Sequence, residues 1–279
     1  MNSSPTGSYR GRIDQYYRDL GALLSIITGR NGYANLGWLS VDDRTSSFDD
    51  GQREMVRLVT GKLRYEAGGR LLEVGCGLGG PVRQAAAERG GTVIGLELLR
   101  RQIEAGRHLT EAGAGRSLFI QGSAENLPFK AGSFDGLYCI ESAFHYDDKT
   151  KFIAESARLL KPGGRLALAD LMVLPGHRRG WLQGEMERIV ASPGFYSLEQ
   201  YQDAARHAGL QMMEEINVSD GVWRSLGRMA PKVIKLWREL RRMGYSRAYL
   251  IGILVLGKLA WLLGPVVPAR YRLVVWQKV

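Results

Sequence analysis

Residues 71 to 80 read Leu71-Leu72-Glu73-Val74-Gly75-Cys76-Gly77-Leu78-Gly79-Gly80, followed by the helix-like run Pro81 to Ala87. An apolar run that halts at Gly-x-Gly and resumes as a helix is how an α/β fold turns from its first strand into a ligand crevice. The glycines let the backbone approach a ligand closely, and Pro81 suits a first helical turn, where its missing N–H is not needed. A second apolar run, Val93-Ile94-Gly95-Leu96-Glu97, ends in a carboxylate able to accept both ribose hydroxyls of a nucleoside. A nucleotide-like ligand is therefore expected, and Gly80 even completes the spacing of a dinucleotide fingerprint.

For proton chemistry the notable residue is His145, in Glu141-Ser142-Ala143-Phe144-His145-Tyr146-Asp147-Asp148, just past a fourth strand. Asp170 closes a fifth. An imidazole with a carboxylate fixing its tautomer is a base with its orienter. A lone histidine more often serves structure, and its place at the ligand edge is what singles this one out. Cys76 reads as a small buried filler, since nothing nearby would depress its pKa. His108, His145, His177 and His207 lack metal-ligand spacing, so no metal site is expected.

To hold these groups at one edge, strands are expected at about 70–75, 92–97, 116–121, 134–140 and 164–171, with helices at about 80–89, 99–113 and 149–160. Pro162-Gly163-Gly164 reads as a turn ending the last of these helices. Ser197 followed by Gln200 is a capping-box signature, which starts a helix at 198. Two more strands are expected at 210–217 and 270–278. Before the core, helical spacing covers 13–28, and Gly29 to Gly37 breaks it. A further helix is expected near 50–64.

Gln121-Gly122-Ser123-Ala124-Glu125-Asn126-Leu127-Pro128-Phe129, Ser133-Phe134-Asp135 and Ala157-Arg158-Leu159-Leu160-Lys161-Pro162-Gly163-Gly164 follow the glycine turn in order. As a set, these motifs resemble the class I S-adenosylmethionine (SAM) methyltransferases of small-molecule type, across residues 71 to 171. The resemblance implies an α/β fold: a doubly wound, seven-stranded, mostly parallel Rossmann-like sheet with a helical cap. It implies SAM as cofactor, S-adenosylhomocysteine as product, and binding by Glu73, Gly75, Cys76, Gly77 and Gly79. Glu97, Leu98 and Gln102 would follow from the second strand, Ser123, Ala124 and Glu125 from the third, and Ile140 from the fourth. Ser123 stands where the family has Asp; a neutral hydroxyl should bind the adenine amine less strongly. The His145 and Asp170 positions are similar to those of natural-product sugar and lipid O-methyltransferases. Acceptor-pocket candidates are Tyr17, Tyr33, Trp38, Glu141, Tyr146, His177 and Glu185. Tyr33 and Trp38 could either pack the N-terminal helix or form a lid; the resemblance favours the lid.

The formal net charge is +10. Residues 1–217 hold 26 Lys/Arg and 26 Asp/Glu, while 218–279 hold 12 against 2, so the excess belongs to one segment. That argues against nucleic acid and for a local anionic partner. Arg224, Arg228, Lys232, Lys235, Arg238 and Arg242 fall along one helical stripe, with Leu226, Val233, Leu236, Trp237 and Leu240 largely opposite. Residues 248–267 are apolar nearly all round, yet strands on both sides belong to one sheet, so a single membrane crossing is excluded. A cap or homodimer interface, or peripheral membrane contact through 221–263, remains.

The expected organisation is a disordered tail at 1–12, a helical lid at 13–64, a SAM-binding core at 65–217, a basic and apolar cap at 218–269 and a final strand at 270–279. With Cys76 and Cys139 the only cysteines, a reduced, cytoplasmic setting is expected. The expected activity is methylation of a hydroxyl on a hydrophobic small molecule with His145 as base. C-methylation of an alkene, prenyl or aromatic carbon is the alternative within the class, and a SAM-binding non-methylating cyclase or a peripheral membrane binder the alternative outside it.

Overall fold

A computed structural model describes residues 9–19, 32–66, 68–109, 115–176, 179–247, 250–252, 254–255 and 269–279. Its strands are β1 (Arg70–Val74), β2 (Thr92–Glu97), β3 (Arg116–Gln121), β4 (Phe134–Ile140), β5 (Leu160–Val173), β6 (Leu210–Asn217) and β7 (Ala269–Lys278). They form one seven-stranded sheet in the order β3-β2-β1-β4-β5-β7-β6. The first five are parallel, and β7 runs antiparallel to both β5 and β6. The strand order reverses between β1 and β4, which opens a crevice at their carboxyl ends.

The helices are α1 (Tyr9–Asp19), α2 (Phe48–Gly61), α3 (Gly80–Arg89), α4 (Arg100–Gly106), α5 (Lys149–Leu159), α6 (Trp181–Ile189), α7 (Leu198–His207), α8 (Ser219–Gly227) and α9 (Met229–Arg242). Strand residues alternate between two cores. Leu71, Val93, Tyr138, Ala167 and Leu273 pack with Met55, Val56 and Val59 of α2 and Val82 and Ala85 of α3. Their neighbours Leu72, Ile94, Leu137, Leu166 and Val274 pack on the other face with Phe152 and Ile153 of α5 and Tyr201 and Ala204 of α7. Each such buried aliphatic side chain contributes about 2 kcal/mol, and together they make the sheet a rigid floor. The capping box at α7 forms as expected, Gln200 N donating to Ser197 Oγ and Ser197 N to Gln200 Oε1.

Several expectations change. Residues 9–12, expected within the tail, belong to α1, which begins at Tyr9, and Arg12 of that helix pairs with Asp147 at 2.6 Å. The helix expected over 13–28 is described only to Asp19, and α4 is described to Gly106 rather than 113. The Pro162-Gly163-Gly164 turn is a bulge within β5, where the pairing passes from Phe134↔Leu160 to Gly136↔Arg165. Asp135 holds it, accepting from Lys161 Nζ (2.6 Å) and Arg70 N (2.8 Å). Helix α6 was not expected at all. Most of the 248–267 stretch lies outside the described residues.

The basic stripe is divided. α8 ends at Gly227 and α9 begins at Met229, so Arg224 donates to Leu39 O and Arg228 to Arg44 O, while Lys232 pairs with Asp49. Ser225 Oγ donates to Leu36 O (2.7 Å) and Leu39 N to Gly221 O (3.1 Å). The first half of the stripe thus ties α8 and α9 to the segment 36–49. Among the described residues no helix is long and apolar enough to cross a membrane.

Candidate functional site

The turn after β1 takes left-handed φ values at Gly75 (77°) and Gly77 (53°). Gly75 N and Cys76 N both donate to Leu96 O, fastening the turn to the end of β2. A Cβ at Gly75 would lie 1.9 Å from Ser142 Oγ, so only glycine fits. Glu97 closes over the turn, accepting from Gly77 N (3.0 Å) with Oε2 and from Leu99 N (2.9 Å) with Oε1. Burial raises the pKa of Glu97, although these N–H groups work against the shift. Glu73 is buried beneath the turn, its pKa pushed up to about 8 by burial, and its Oε2 has no hydrogen-bond partner.

A cleft, open at its mouth, runs over this floor. Of the expected cofactor residues Glu73, Gly75, Cys76, Gly77, Glu97, Leu98, Ala124 and Ile140 line it. Gln102 stands behind Gly77, with its buried Nε2 unpartnered. Gly79 caps α3 at φ 78° and packs against Phe119. Ser123 and Glu125 do not line the cleft: Ser123 Oγ accepts from Glu125 N, and Glu125 Oε1 accepts from Asp147 N and Asp148 N. Their polar atoms are spent on turning the chain. The Cys76 thiol, fully buried, is held well above its usual pKa, as a filler would be.

The other end of the cleft is aromatic. Tyr16 and Tyr17 of α1, Phe144, Tyr146 and Tyr271 line it with Ile13, Val190 and the segment Ala34-Asn35-Leu36. His145 sits among them, 4.3 Å from the Phe144 ring and 5.3 Å from Tyr16, centroid to centroid. Burial lowers its pKa to about 3, so the ring is neutral, and Nδ1 has no hydrogen-bond partner. Arg12 braces this wall, donating to Asp147 Oδ1, to Ala191 O and, at 3.4 Å, to His145 O.

Asp170 does not orient the imidazole. Its oxygens accept from Phe144 N and Leu171 N, both at 2.8 Å, so the carboxylate holds the backbone of the short 3-10 turn Ala143–His145. Burial pushes Asp170 up to about 7. Glu141 is a second carboxyl group at this wall. It adopts φ 51°, rare for a residue with a Cβ, and both its oxygens accept from Leu36 N. Burial raises its pKa to about 8.

Of the acceptor-pocket candidates, Tyr17, Glu141 and Tyr146 line the cleft. Tyr146 serves mainly as wall, its hydroxyl donating to Val74 O. Tyr33 and Trp38 turn away: Tyr33 OH donates to Gln84 Oε1, and the Trp38 ring packs on Gly221 of α8. Glu185 pairs with Arg188 on an exposed helix face, and His177 lies outside the described residues. Sequence reasoning missed Tyr16, Asn35, Ser142, Phe144, Val190 and Tyr271. Tyr16, Ser142 and Phe144 stood beside residues that were chosen, whereas Val190 and Tyr271 arrive from distant elements. Among the described residues no three His, Cys, Asp or Glu side chains are grouped to hold a metal.

These groups fit SAM. Glu97 offers acceptors for ribose hydroxyls, and the orphaned Glu73 Oε2 offers one for an ammonium. Ala124, in the turn that follows β3, lines the cleft where an adenine edge would lie.

A family model described as "Methyltransferase domain" matches residues 72–168. The chain is 30% identical over 224 residues to "O-methyltransferase resE" of Aspergillus sclerotiorum, covering 80% of this chain and 83% of that one. It is 32% identical over 184 residues to "27-O-demethylrifamycin SV methyltransferase" of Amycolatopsis mediterranei, covering 64% and 67%. Among solved structures, the [4+2]-cyclase SpnF superposes with a TM-score of 0.77 at 21% identity, covering 100% of this chain and 98% of that one, a likeness of fold alone. With the glycine turn, Glu97 and the switch-point cleft in place, the chain belongs to the class I SAM-dependent methyltransferases and is an enzyme that uses SAM as its methyl donor.

Proposed function

We propose that this enzyme methylates a hydroxyl of an apolar small molecule, with His145 taking the hydroxyl proton. The observation that carries the reading is the neutral, buried His145 ring in the aromatic wall of the cleft, with Nδ1 free of any hydrogen-bond partner. Bound SAM supplies an electrophilic methyl on a sulfonium. The chain's own task is positional: Glu97 and the glycine turn fix one ligand, and Tyr16, Tyr17, Phe144 and Tyr271 exclude water around the other. His145 then accepts a hydrogen bond from the acceptor hydroxyl and aligns its lone pair. As the oxygen gains a carbon it takes on positive charge and its proton becomes strongly acidic. A base held near pKa 3 therefore still removes it. Asp170 acts as a positioning residue through Phe144 N. The relative named as an O-methyltransferase supports the hydroxyl as target.

A second reading, C-methylation of an alkene or aromatic carbon, draws support from the same rings, which would stabilise a carbocation by cation–π attraction. In that case Glu141 or His145 would take the carbon-bound proton. Incubation with carbon-13 methyl-labelled SAM and an acceptor library, read by NMR, separates the two by the chemical shift of the new methyl. For the base, a His145→Ala variant should lose about 10²- to 10⁴-fold in kcat while keeping its affinity for SAM. Full turnover by that variant would remove the assignment.

A further inference from the structure

The outward face of α9 takes no part in the cleft. Pro231, Ile234, Lys235, Arg238, Arg241 and Arg242 are exposed, while Val233 and Leu240 are buried with Leu236 and Trp237 packed against them. At 3.6 residues per turn, the exposed six fall within about a third of the helix circumference. No carboxylate of a described residue pairs with Lys235, Arg238 or Arg242, in contrast to Lys232, which pairs with Asp49. Arg241 donates only to Tyr245 O among the described residues. Four cations thus share one surface.

That surface is also apolar. Ile234, 62% exposed, lies between Arg238 and Arg241 on the helix, and Met243, 52% exposed, follows its end. On the next helical turns Leu250 and Leu254 pack against Val233 and Leu240, leaving Ile251 and Val255 exposed. Cations with apolar side chains set among them match a lipid headgroup layer, where the charges meet anionic lipid and the apolar groups enter the acyl boundary. Nucleic acid would engage the cations but leave Ile234, Met243 and Ile251 facing water. A second copy across a two-fold axis would set this cationic face against itself.

We infer that α9 and the turns following it dock the protein on an anionic lipid surface. α8 is hydrogen-bonded to Leu36 and Leu39, the junction residue Arg228 to Arg44, and Lys232 of α9 pairs with Asp49; Leu36 lines the cleft. Docking therefore brings one wall of the cleft to the phase in which an apolar acceptor dissolves. The inference stands apart from the choice of methylated atom and from His145.

The test is flotation of the full chain with phosphatidylcholine vesicles, with and without phosphatidylglycerol. Flotation is expected only with the anionic lipid, and to weaken as salt is added. Arg238→Gln together with Arg242→Gln should lower the vesicle partition coefficient roughly 30-fold, about fivefold per charge removed. Ile234→Asp should also lower it, while SAM affinity in both variants stays at the wild-type value and certifies folding. The inference is overturned by absence of flotation with either lipid, by equal flotation on both, by indifference to the double variant, or by migration with duplex DNA in place of vesicles.

Discussion

Replacing Asp170 by Asn is the sharpest probe of how the acceptor wall is held. The carboxylate accepts from two buried backbone N–H groups, Phe144 and Leu171, at 2.8 Å each. The isosteric amide keeps one acceptor oxygen and presents an NH₂ to the other N–H. One buried donor is left unsatisfied, a cost of about 1 to 3 kcal/mol, partly offset because a poorly solvated carboxylate is also removed. At pH 8 Asp170 is ionised, its pKa having been raised only to about 7, so both terms apply. A net loss of about 2 kcal/mol corresponds to a fall in Tm of roughly 3 °C for a chain of 279 residues. The effect on rate should be larger. If Phe144 N is the orphaned group, the 3-10 turn moves and carries His145 with it, and a displacement of about 1 Å costs on the order of 10²-fold in kcat. SAM affinity should change less than about threefold, because Glu97 and the glycine turn do not touch Asp170. The measurements are a thermal melt, calorimetric SAM binding and S-adenosylhomocysteine release under saturating substrates. Wild-type kcat alongside the expected fall in Tm would refute the positioning role; equal losses in SAM affinity and kcat would show general collapse of the site instead.

Glu97→Gln should weaken SAM binding by about 10- to 100-fold, since charge-assisted hydrogen bonds contribute about 1.5 to 3 kcal/mol, with calorimetry as the check. Gly75→Ala, whose Cβ would fall 1.9 Å from Ser142 Oγ at a left-handed φ, should abolish SAM binding while the secondary structure seen by circular dichroism persists. Gly221→Ala would set a Cβ 2.1 Å from Trp38 Nε1; it should shift the wall containing Leu36 and raise the acceptor KM more than it lowers kcat. Burial raises Glu73 and Glu141 to about 8 and Asp170 to about 7, so from about pH 6.5 to 8 the folded protein holds protons that the unfolded chain has released. Stability of the ligand-free protein should therefore fall as pH rises through that window, and melts of Glu141→Gln should show a shallower fall. His145, lowered to about 3 from 6.5, acts in the opposite direction but only below that window.

The cofactor half of the site was legible because its chemistry is local. Gly75, Gly77 and Glu97 do their work within a strand end and the turn attached to it, and the apolar alternation that fixes those strands is written beside them. The acceptor half was not. His145 could be placed at the edge of the sheet, but Asp170 was given the wrong partner, because nothing in its neighbours says that its oxygens face Phe144 N and Leu171 N rather than an imidazole. Tyr33 was chosen over Tyr16, yet Tyr33 spends its hydroxyl on Gln84, 51 residues away. Val190 and Tyr271 reach the cleft only through tertiary packing of α6 and β7. The basic stripe read as continuous because its spacing is continuous; the break at Arg228 between α8 and α9, which divides it between internal braces and an outer face, comes from how the chain settles on residues 36 to 49.

Both α8 and α9 sit in the chain between β6 and β7, two strands paired to each other from Leu210↔Lys278 to Asn217↔Arg272. The cap is thus the contents of one antiparallel connection, and the entropy of closing such a connection grows only by about 0.6 kcal/mol for each doubling of its length. Whole segments could be exchanged there between related enzymes without disturbing the ladder. The transplant would have to carry its counterpart, residues 36 to 49, because Leu36, Leu39, Arg44 and Asp49 are the sockets into which Ser225, Arg224, Arg228 and Lys232 plug. The practical unit for exchanging this part of the enzyme is therefore a pair of segments far apart in sequence, moved together over an unchanged cofactor floor.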